Sequence, residues 1–266
     1  MSSIYHYWGK YSSPDHNQDS FYHLLPYHGL DVAATGLAWL HHHRHFSRYW
    51  ARTLFLTEEE LEQWIGALLA LHDMGKFTLS FQNQRPELLL KLQGPTLHPG
   101  YATRHDTLGW WLWLEESNEE AIDPWLQAVM GHHGQPPRER DNASTFNLLG
   151  SVTDGDQQAI RAYRQAIASL LPAQPLPAPL SRECRSVWKR FSWWLAGLTV
   201  LADWLGSDQK MFPFEDDAIP LTDYWQRAQI RAEKAVRQAG LVYSASAPTN
   251  AFHQLFPYLS EQNPTP

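Results

Sequence analysis

His72 and Asp73 are the first residues whose types and spacing could support metal chemistry. They end an apolar helical segment and precede the stretch Met74-Gly75-Lys76. Adjacent side chains on a helix point about 100° apart because one turn takes about 3.6 residues. The pair could therefore bind one metal from two sides, or the carboxylate could bridge two metals. The alternative is an exposed helix end, where the helix dipole favours a histidine.

A second candidate is the pair His132 and His133, which lies between Gly131 and Gly134 at the end of another predicted helix. Glycines on both sides would let the backbone approach a site closely. An ordinary surface helix end would explain the same four residues. The pair therefore supports a metal site only in combination with the other candidate residues.

Asp203 carries the sharpest physical argument, since it lies inside the most hydrophobic predicted helix of the chain. Burying an unpaired carboxylate costs several kcal/mol. A buried Asp203 therefore needs a partner, which could be a metal cation, an arginine or a lysine. The alternative is a helix face that is open to water.

His28 and His105 each lie at the predicted start of a helix. Either one alone would more often be a hydrogen-bonded structural histidine. With the residues above they make five histidines and two aspartates, all at helix ends or buried positions. Helical bundles build metal sites from such inward-facing groups on several helices.

The chemistry of this set favours two transition-metal ions. Mixed imidazole and carboxylate ligands suit iron, manganese, nickel, cobalt or zinc, whereas magnesium prefers oxygen ligands alone. Seven ligands are too many for one ion, so two metals bridged by Asp73 is the simplest arrangement. Two ions about 3.5–4 Å apart can clamp the attacking and leaving oxygens in phosphoester hydrolysis.

Composition bounds the class of protein. A chain of 266 residues with 43% hydrophobic residues has a substantial folded core. Its lone cysteine, Cys184, excludes a disulfide framework and a cysteine-rich zinc site. No apolar segment is long enough for a membrane span, and the first ten residues lack a signal-peptide core. We expect a cytoplasmic protein with no membrane partner. The net charge of −7 argues against a protein that coats nucleic acid through its overall charge. It does not exclude a local phosphate-binding site.

The elements that would position these residues are helices. Thr57 and Glu60 form a predicted capping box. Apolar spacing, caps and glycine stops predict helices over about 28–42, 57–72, 105–116, 124–133, 185–207 and 223–238. We predict an all-α helical bundle with one domain over 1–245 and a C-terminal tail or truncated linker over 246–266.

Two segments have a more specific expectation. Residues 191–205 are apolar nearly all round, which predicts a central buried helix. Residues 171–180 hold four prolines, which predicts an exposed proline-rich loop. Most tryptophans, in particular Trp193, Trp194 and Trp204, are predicted to lie in the core. One or two near the cleft could stack on bases.

The order of the seven candidates resembles the HD superfamily of metal-dependent phosphohydrolases. The stretches HYWGK, YHGLDVAA, LHDMGKF, GHHG and LADWLGS are similar to the HD nuclease domain of the CRISPR-associated nuclease-helicase of type I systems, nearest the subtype I-E form. The resemblance extends from His6 to about Gly240. LHDMGKF and GHHG occur in other HD proteins, whereas YHGLDVAA together with LADWLGS is much more specific.

The resemblance implies an HD-domain fold and a site with two divalent ions. One ion would be held by His28, His72, Asp73 and Asp203, and the other by Asp73, His105, His132 and His133. Lys76 and Ser207 would lie near the scissile phosphate. Asp106 follows His105 where the family has a small residue. The full family protein continues into a helicase, and no GxxxxGKS or GxxxxGKT phosphate loop occurs in this sequence.

The implied function is a metal-dependent endonuclease of antiviral defence that cleaves single-stranded DNA. Its substrate would be the strand displaced when a guide RNA pairs with its target. Its partners would be a helicase domain or subunit and the CRISPR RNA-guided surveillance complex, Cascade. Two alternatives remain open. An HD phosphohydrolase acting on nucleotides or cyclic nucleotides would use the same metal chemistry, and a non-catalytic docking module would use the histidines structurally.

Overall fold

Helices dominate a computed structural model that describes residues 3–12, 21–96, 100, 103–116, 122–137, 151–174 and 182–243. This part of the chain contains ten α-helices and one two-stranded antiparallel hairpin. The all-α prediction is therefore confirmed, with a small hairpin added. The predicted tail over 246–266 and much of the predicted loop over 171–180 lie outside the described residues.

The elements have the following bounds. The strands are β1 (Trp8–Tyr11) and β2 (Tyr22–Leu24). The helices are α1 (Leu25–His42), α2 (Arg44–Leu54), α3 (Glu58–Ala70), α4 (Leu79–Gln82), α5 (Pro86–Gln93), α6 (His105–Glu116), α7 (Asp123–Met130), α8 (Asp154–Leu170), α9 (Arg182–Gly206) and α10 (Leu221–Gln238). Short 3-10 helices cover Ser3–His6, Met74–Phe77 and Gly131–His133. No helix in these ranges is long and apolar enough to cross a membrane.

Helix α3 begins and ends for reasons visible in the sequence. The hydroxyl of Thr57 accepts a hydrogen bond from the Glu60 backbone, and the Glu60 carboxylate accepts one from the Thr57 backbone, which makes the predicted capping box. The helix stops at Ala70, two residues earlier than its apolar pattern predicts. His72 and Asp73 therefore lie in the turn after the helix, and the 100° spacing of helical neighbours does not apply to them.

Helices α1 and α9 approach each other closely because a glycine lies at their contact. A Cβ atom added to Gly206 would lie 3.2 Å from the backbone nitrogen of Val32 and 3.3 Å from the backbone oxygen of Asp31. This close backbone packing brings the last turn of α9 against the first turns of α1. It thereby places Asp203 beside His28.

Helix α9 is half-buried, so the prediction of a central helix buried all round is wrong. Phe191, Leu195, Leu198 and Ala202 form a buried stripe at helical spacing. Trp193 is 75% exposed and Trp204 is 76% exposed, and Trp194 is only partly buried. The predicted burial of these tryptophans is corrected because the core accepts one face of the helix, although most of its residues are apolar.

The hairpin was not predicted from the sequence. It pairs Lys10 with His23 and Tyr11 with Tyr22 in antiparallel register. The side chain of Gln82 holds the hairpin in place. Its Oε1 accepts a hydrogen bond from the Trp8 backbone nitrogen, and its Nε2 donates one to the Trp8 carbonyl. The hairpin matters for the site because it carries Gly9 and Lys10 to the ends of α1 and α9.

Candidate metal centre

The seven candidate side chains come from five separate places in the chain, and the structure brings them together. The contributing segments are the first turns of α1 (His28), the turn after α3 (His72 and Asp73), the start of α6 (His105), the 3-10 helix after α7 (His132 and His133) and the last turn of α9 (Asp203). Helix packing therefore assembles a group that is scattered over 176 positions, from 28 to 203.

Asp73 lies at the middle of the group. Its Oδ2 atom is 3.2 Å from Nε2 of both His28 and His72. Its Oδ1 atom is 3.1 Å from Nε2 of His105 and 3.7 Å from Nε2 of His132. The two carboxylate oxygens thus face two different sets of imidazoles, which is the geometry that a bridging carboxylate needs.

The remaining two members extend these sets. Asp203 Oδ1 lies 3.3 Å from Nε2 of His28 and 3.8 Å from Nε2 of His72. The Nε2 atoms of His133 and His105 lie 3.1 Å apart. Three subsets have ligand atoms within 4.8 Å of one another: Asp73 with His105, His132 and His133; Asp73 with His28 and His72; and Asp203 with His72 and His132.

Five buried ligand atoms of the site make no hydrogen bond among the described residues. These atoms are Nε2 of His28, His72 and His132 and both carboxylate oxygens of Asp73. Apart from the ion pair between Asp73 and Lys76, their contacts are approaches of 3.1–3.8 Å between imidazole nitrogens and carboxylate oxygens. Leaving such atoms unsatisfied costs about 1–3 kcal/mol each, and cations bound on the two sides of Asp73 would satisfy them. The residues therefore fit a metal site.

Backbone carbonyls orient two of the imidazoles. His72 Nδ1 donates to the Leu69 carbonyl at 2.8 Å, and His132 Nδ1 donates to the Val129 carbonyl at 3.0 Å. Because a carbonyl only accepts, Nδ1 carries the hydrogen and Nε2 keeps its lone pair for a metal. Partners of this kind fix the tautomer and ring direction of metal-binding histidines.

Burial keeps several of the imidazoles neutral. It lowers the pKa of His28 to about 4 and that of His132 to about 3, and it lowers the pKa of His105 and His133 as well. Neutral imidazole is the form that binds metal. At neutral pH these four side chains are therefore in their ligating form.

The two carboxylates stay ionised for the opposite reason. Burial alone would raise the pKa of Asp73, but Lys76 and the imidazoles hold it well below its usual range. Burial would likewise raise the pKa of Asp203, but its contact with His28 and the nearby ammonium group of Lys10 hold it low. The site therefore presents two anionic ligands among neutral ones.

Two lysines and a serine surround the carboxylates. Lys76 Nζ lies 2.6 Å from Asp73 Oδ2 and donates to the Gly9 carbonyl at 3.3 Å. Lys10 Nζ lies 3.3 Å from Asp203 Oδ1, and the hydroxyl of Ser207 donates to the same oxygen at 3.0 Å. Sequence reasoning selected Lys76 and Ser207 but missed Lys10, whose only signal was its place in the HYWGK stretch.

Asp106, where the sequence departs from the family pattern, lies outside the group. Its buried carboxylate pairs with Arg104 and accepts a hydrogen bond from the Thr107 backbone at 2.6 Å. It therefore does not displace the neighbouring His105, whose Nε2 still faces Asp73.

Comparison with known proteins gives one consistent result. The family model described as "Cas3, HD domain" matches residues 8–212. The CRISPR-associated endonuclease/helicase Cas3 of Escherichia coli is 30% identical over 276 residues, which covers 90% of this chain and 30% of that protein. The protein of the same name from Thermus thermophilus is 28% identical and covers 96% of this chain and 28% of its own length. The chain thus spans less than a third of the curated relatives it matches.

A solved structure matches both the fold and most of the length. It is the Thermus thermophilus Cas3 HD domain determined in the presence of Ni²⁺, with 25% identity and a TM-score of 0.62 over 90% of this chain and 92% of that chain.

Proposed function

Because the chain belongs to the Cas3 HD domain family, we propose that it is a metal-dependent endonuclease that cleaves single-stranded DNA. The substrate would be the strand displaced when a CRISPR RNA pairs with its target, since that strand is unpaired and accessible. One observation carries the proposal: imidazoles surround the two oxygens of Asp73, and Nε2 of His28, His72 and His132 makes no hydrogen bond among the described residues.

The arrangement supports two ion positions that share Asp73. The first would use His28, His72, Asp73 and Asp203, and the second would use Asp73, His105, His132 and His133. Imidazole-rich coordination favours iron, manganese, nickel or cobalt over magnesium. Bound divalent ions would polarise the phosphodiester and lower the pKa of a water molecule so that it can attack at neutral pH.

The residues of the chain would then bind and orient the substrate. Lys76 lies against Asp73, where its ammonium group would balance the negative charge that develops on the scissile phosphate. Ser207 and Lys10 both contact Asp203, so they lie at the same edge of the site and would meet the phosphate from there. Asp73 would be essential because it faces both ion positions.

The partners would be a helicase and the RNA-guided surveillance complex Cascade. The curated relatives are named endonuclease/helicase, and this chain corresponds to less than a third of their length. A helicase would supply single-stranded DNA to the nuclease site. We assign the nuclease domain to residues 1–245, which contain the whole region matched by the family model.

Circular single-stranded DNA tests the proposal, because a circle has no ends and only an endonuclease can open it. The purified chain, loaded with Mn²⁺, should linearise the circle, lose activity in EDTA, and recover more activity with Mn²⁺ than with Mg²⁺. A panel of nucleotides and cyclic nucleotides should remain intact. Hydrolysis of the panel with an intact circle would instead identify a nucleotide phosphohydrolase, and no hydrolysis of either would favour a docking module.

A further inference from the structure

A groove of about 770 Å³ runs between α9 and the end of α7, outside the metal centre. We call it the α7–α9 groove. One wall is formed by the turn from Gly131 to Pro136, and the other by Trp188 and Trp193 of α9 with their neighbours. Its lining includes no acidic side chain among the described residues.

The α9 wall combines aromatic and cationic groups. Trp193 is 75% exposed, whereas Trp188 is buried and stacks on Trp125 with ring centroids 4.5 Å apart, so it forms a fixed base for the wall. Arg185 and Lys189 precede Trp193 by two turns and one turn on the same helix face. The three side chains therefore follow one another at intervals of about 6 Å along the helix.

The two cations have no carboxylate partner among the described residues, whereas Arg44 and Arg227 elsewhere do. Both are exposed. Although the chain has a net charge of −7, Arg185 and Lys189 form a local basic surface beside the exposed Trp193. An apolar ligand would use the tryptophan alone, but an anion with flat apolar rings would use all three side chains.

The groove lies next to the metal centre, on the other side of the turn from Gly131 to Gly134. Gly131 and Gly134, which line the groove, directly flank His132 and His133, which face Asp73 and His105 in the centre. Gly134 has a φ of +86°, and a Cβ atom there would meet nothing within 4 Å. The turn therefore presents its histidines to the metal centre and its glycines to the groove.

We infer that the α7–α9 groove binds nucleotides of the single-stranded DNA beside the scissile phosphate. Trp193 stacks on a base, and Lys189 and Arg185 contact phosphates, which is the combination that proteins use for single strands without sequence preference. This inference rests on the proposed nuclease function and adds the path by which the strand reaches the site.

Binding of fluorescein-labelled oligothymidylate in EDTA tests the groove without cleavage. W193A should weaken the affinity about 5- to 160-fold, the range expected for loss of one stacked base. K189E should weaken it as well and should reduce the salt dependence of the logarithmic affinity by about 0.7, the value for one phosphate contact on a single strand. Y49A and K234E, which remove an exposed aromatic and an exposed cation elsewhere, should leave the affinity unchanged.

Two further measurements separate the possible failures. Thermal unfolding should be the same for W193A and the unsubstituted chain, since the side chain is mostly exposed. Hydrolysis of bis(p-nitrophenyl) phosphate, which is too small to span site and groove, should also be unchanged in W193A. Unchanged oligothymidylate affinity in W193A and K189E, or no binding by the unsubstituted chain, would overturn the inference and leave the groove as a protein contact. If the unsubstituted chain shows no nuclease activity on single-stranded DNA, the proposed function is overturned instead.

Discussion

Lys76 and Asp73 form the shortest charge contact of the candidate metal centre, with Lys76 Nζ 2.6 Å from Asp73 Oδ2. The same oxygen lies 3.2 Å from Nε2 of His28 and of His72. The lysine therefore supplies positive charge at the carboxylate oxygen, Oδ2, that faces the first proposed ion position. Removing the carboxylate and removing the ammonium should consequently have different effects.

Asp73→Ala should abolish cleavage of single-stranded DNA, because this carboxylate faces both proposed ion positions. We expect a loss of more than about 100-fold, since even the outer partners of metal ligands contribute about 10- to 100-fold. The bound metal, measured on the same preparation, should fall in parallel. Asp73→Asn is the matched variant that keeps the side-chain shape. Metal-dependent activity that survives in both variants would rule out a bridging role.

Lys76→Ala should lower kcat by about 100- to 1000-fold, the usual cost of losing one group that stabilises charge in the transition state. Metal binding should persist, because the substitution removes a cation and leaves every proposed ligand in place. Single-turnover cleavage and metal analysis together measure the two effects. Lys234→Ala is the control, because this exposed lysine of α10 is not a member of the candidate metal centre. Equal loss of metal and activity in Lys76→Ala would show that the lysine maintains the site instead.

Acid should destabilise the metal-free protein through its buried histidines. Burial lowers the pKa of His28 to about 4 and of His132 to about 3, from an ordinary value of 6.5. Between these values the unfolded chain binds protons that the folded chain excludes, so the free energy of unfolding falls as the pH decreases from about 6.5 to about 4. Urea titrations across this range should show a shallower fall for His132→Gln.

His41→Gln is the control for that experiment. Its hydrogen bond to Glu62 raises the pKa of His41, so this histidine stabilises the fold at low pH and loses that effect as the pH rises. The variant should therefore keep the acid-side decline or steepen it. A free energy of unfolding that does not change below pH 6.5 in the unsubstituted chain would contradict the role assigned to burial.

Gly206→Ala should destabilise the fold by about 1–3 kcal/mol, the usual cost of overpacking. The added methyl group would press on the backbone of Val32 and Asp31, and both elements are helices with little room to move. Gly197→Ala is a control on the same helix, where a Cβ atom meets nothing within 4 Å. This second variant should stabilise α9 by about 0.5–1 kcal/mol. Chemical unfolding of both variants checks the contrast, and equal effects would show that the α1–α9 contact is loose.

The site residues could be proposed from the sequence because each has a local physical reason. Asp203 lies among apolar residues and needs a buried partner, and the pairs His72-Asp73 and His132-His133 each end an apolar helix. The number of candidate ligands predicted two ions bridged by Asp73. The assignment of the other ligands to one ion or the other came from a family resemblance, since spacing along the chain does not report distances between helices. The structure places these residues together, and their assignment as metal ligands stays a prediction.

Other features could not be predicted for equally physical reasons. Strands β1 and β2 have only four and three residues, and their buried and exposed residues do not alternate clearly. The sequence therefore did not predict the hairpin or the contact between Lys10 and Asp203. The apolar segment 191–205 does not indicate which of its faces packs inward, and Trp193 was therefore assigned to the core. Helix α8 begins with a Thr153–Asp156 capping box, whose aspartate is a less familiar start signal than the glutamate of α3.

The central claim is that seven side chains form one paired-metal centre around Asp73. Anomalous scattering from crystals of the chain soaked in Mn²⁺ tests it most directly. We predict two peaks about 3.5–4 Å apart, with Asp73 between them, His28 and Asp203 at one peak, and His105 and His133 at the other. One peak only, or peaks that lie away from Asp73, would contradict the claim.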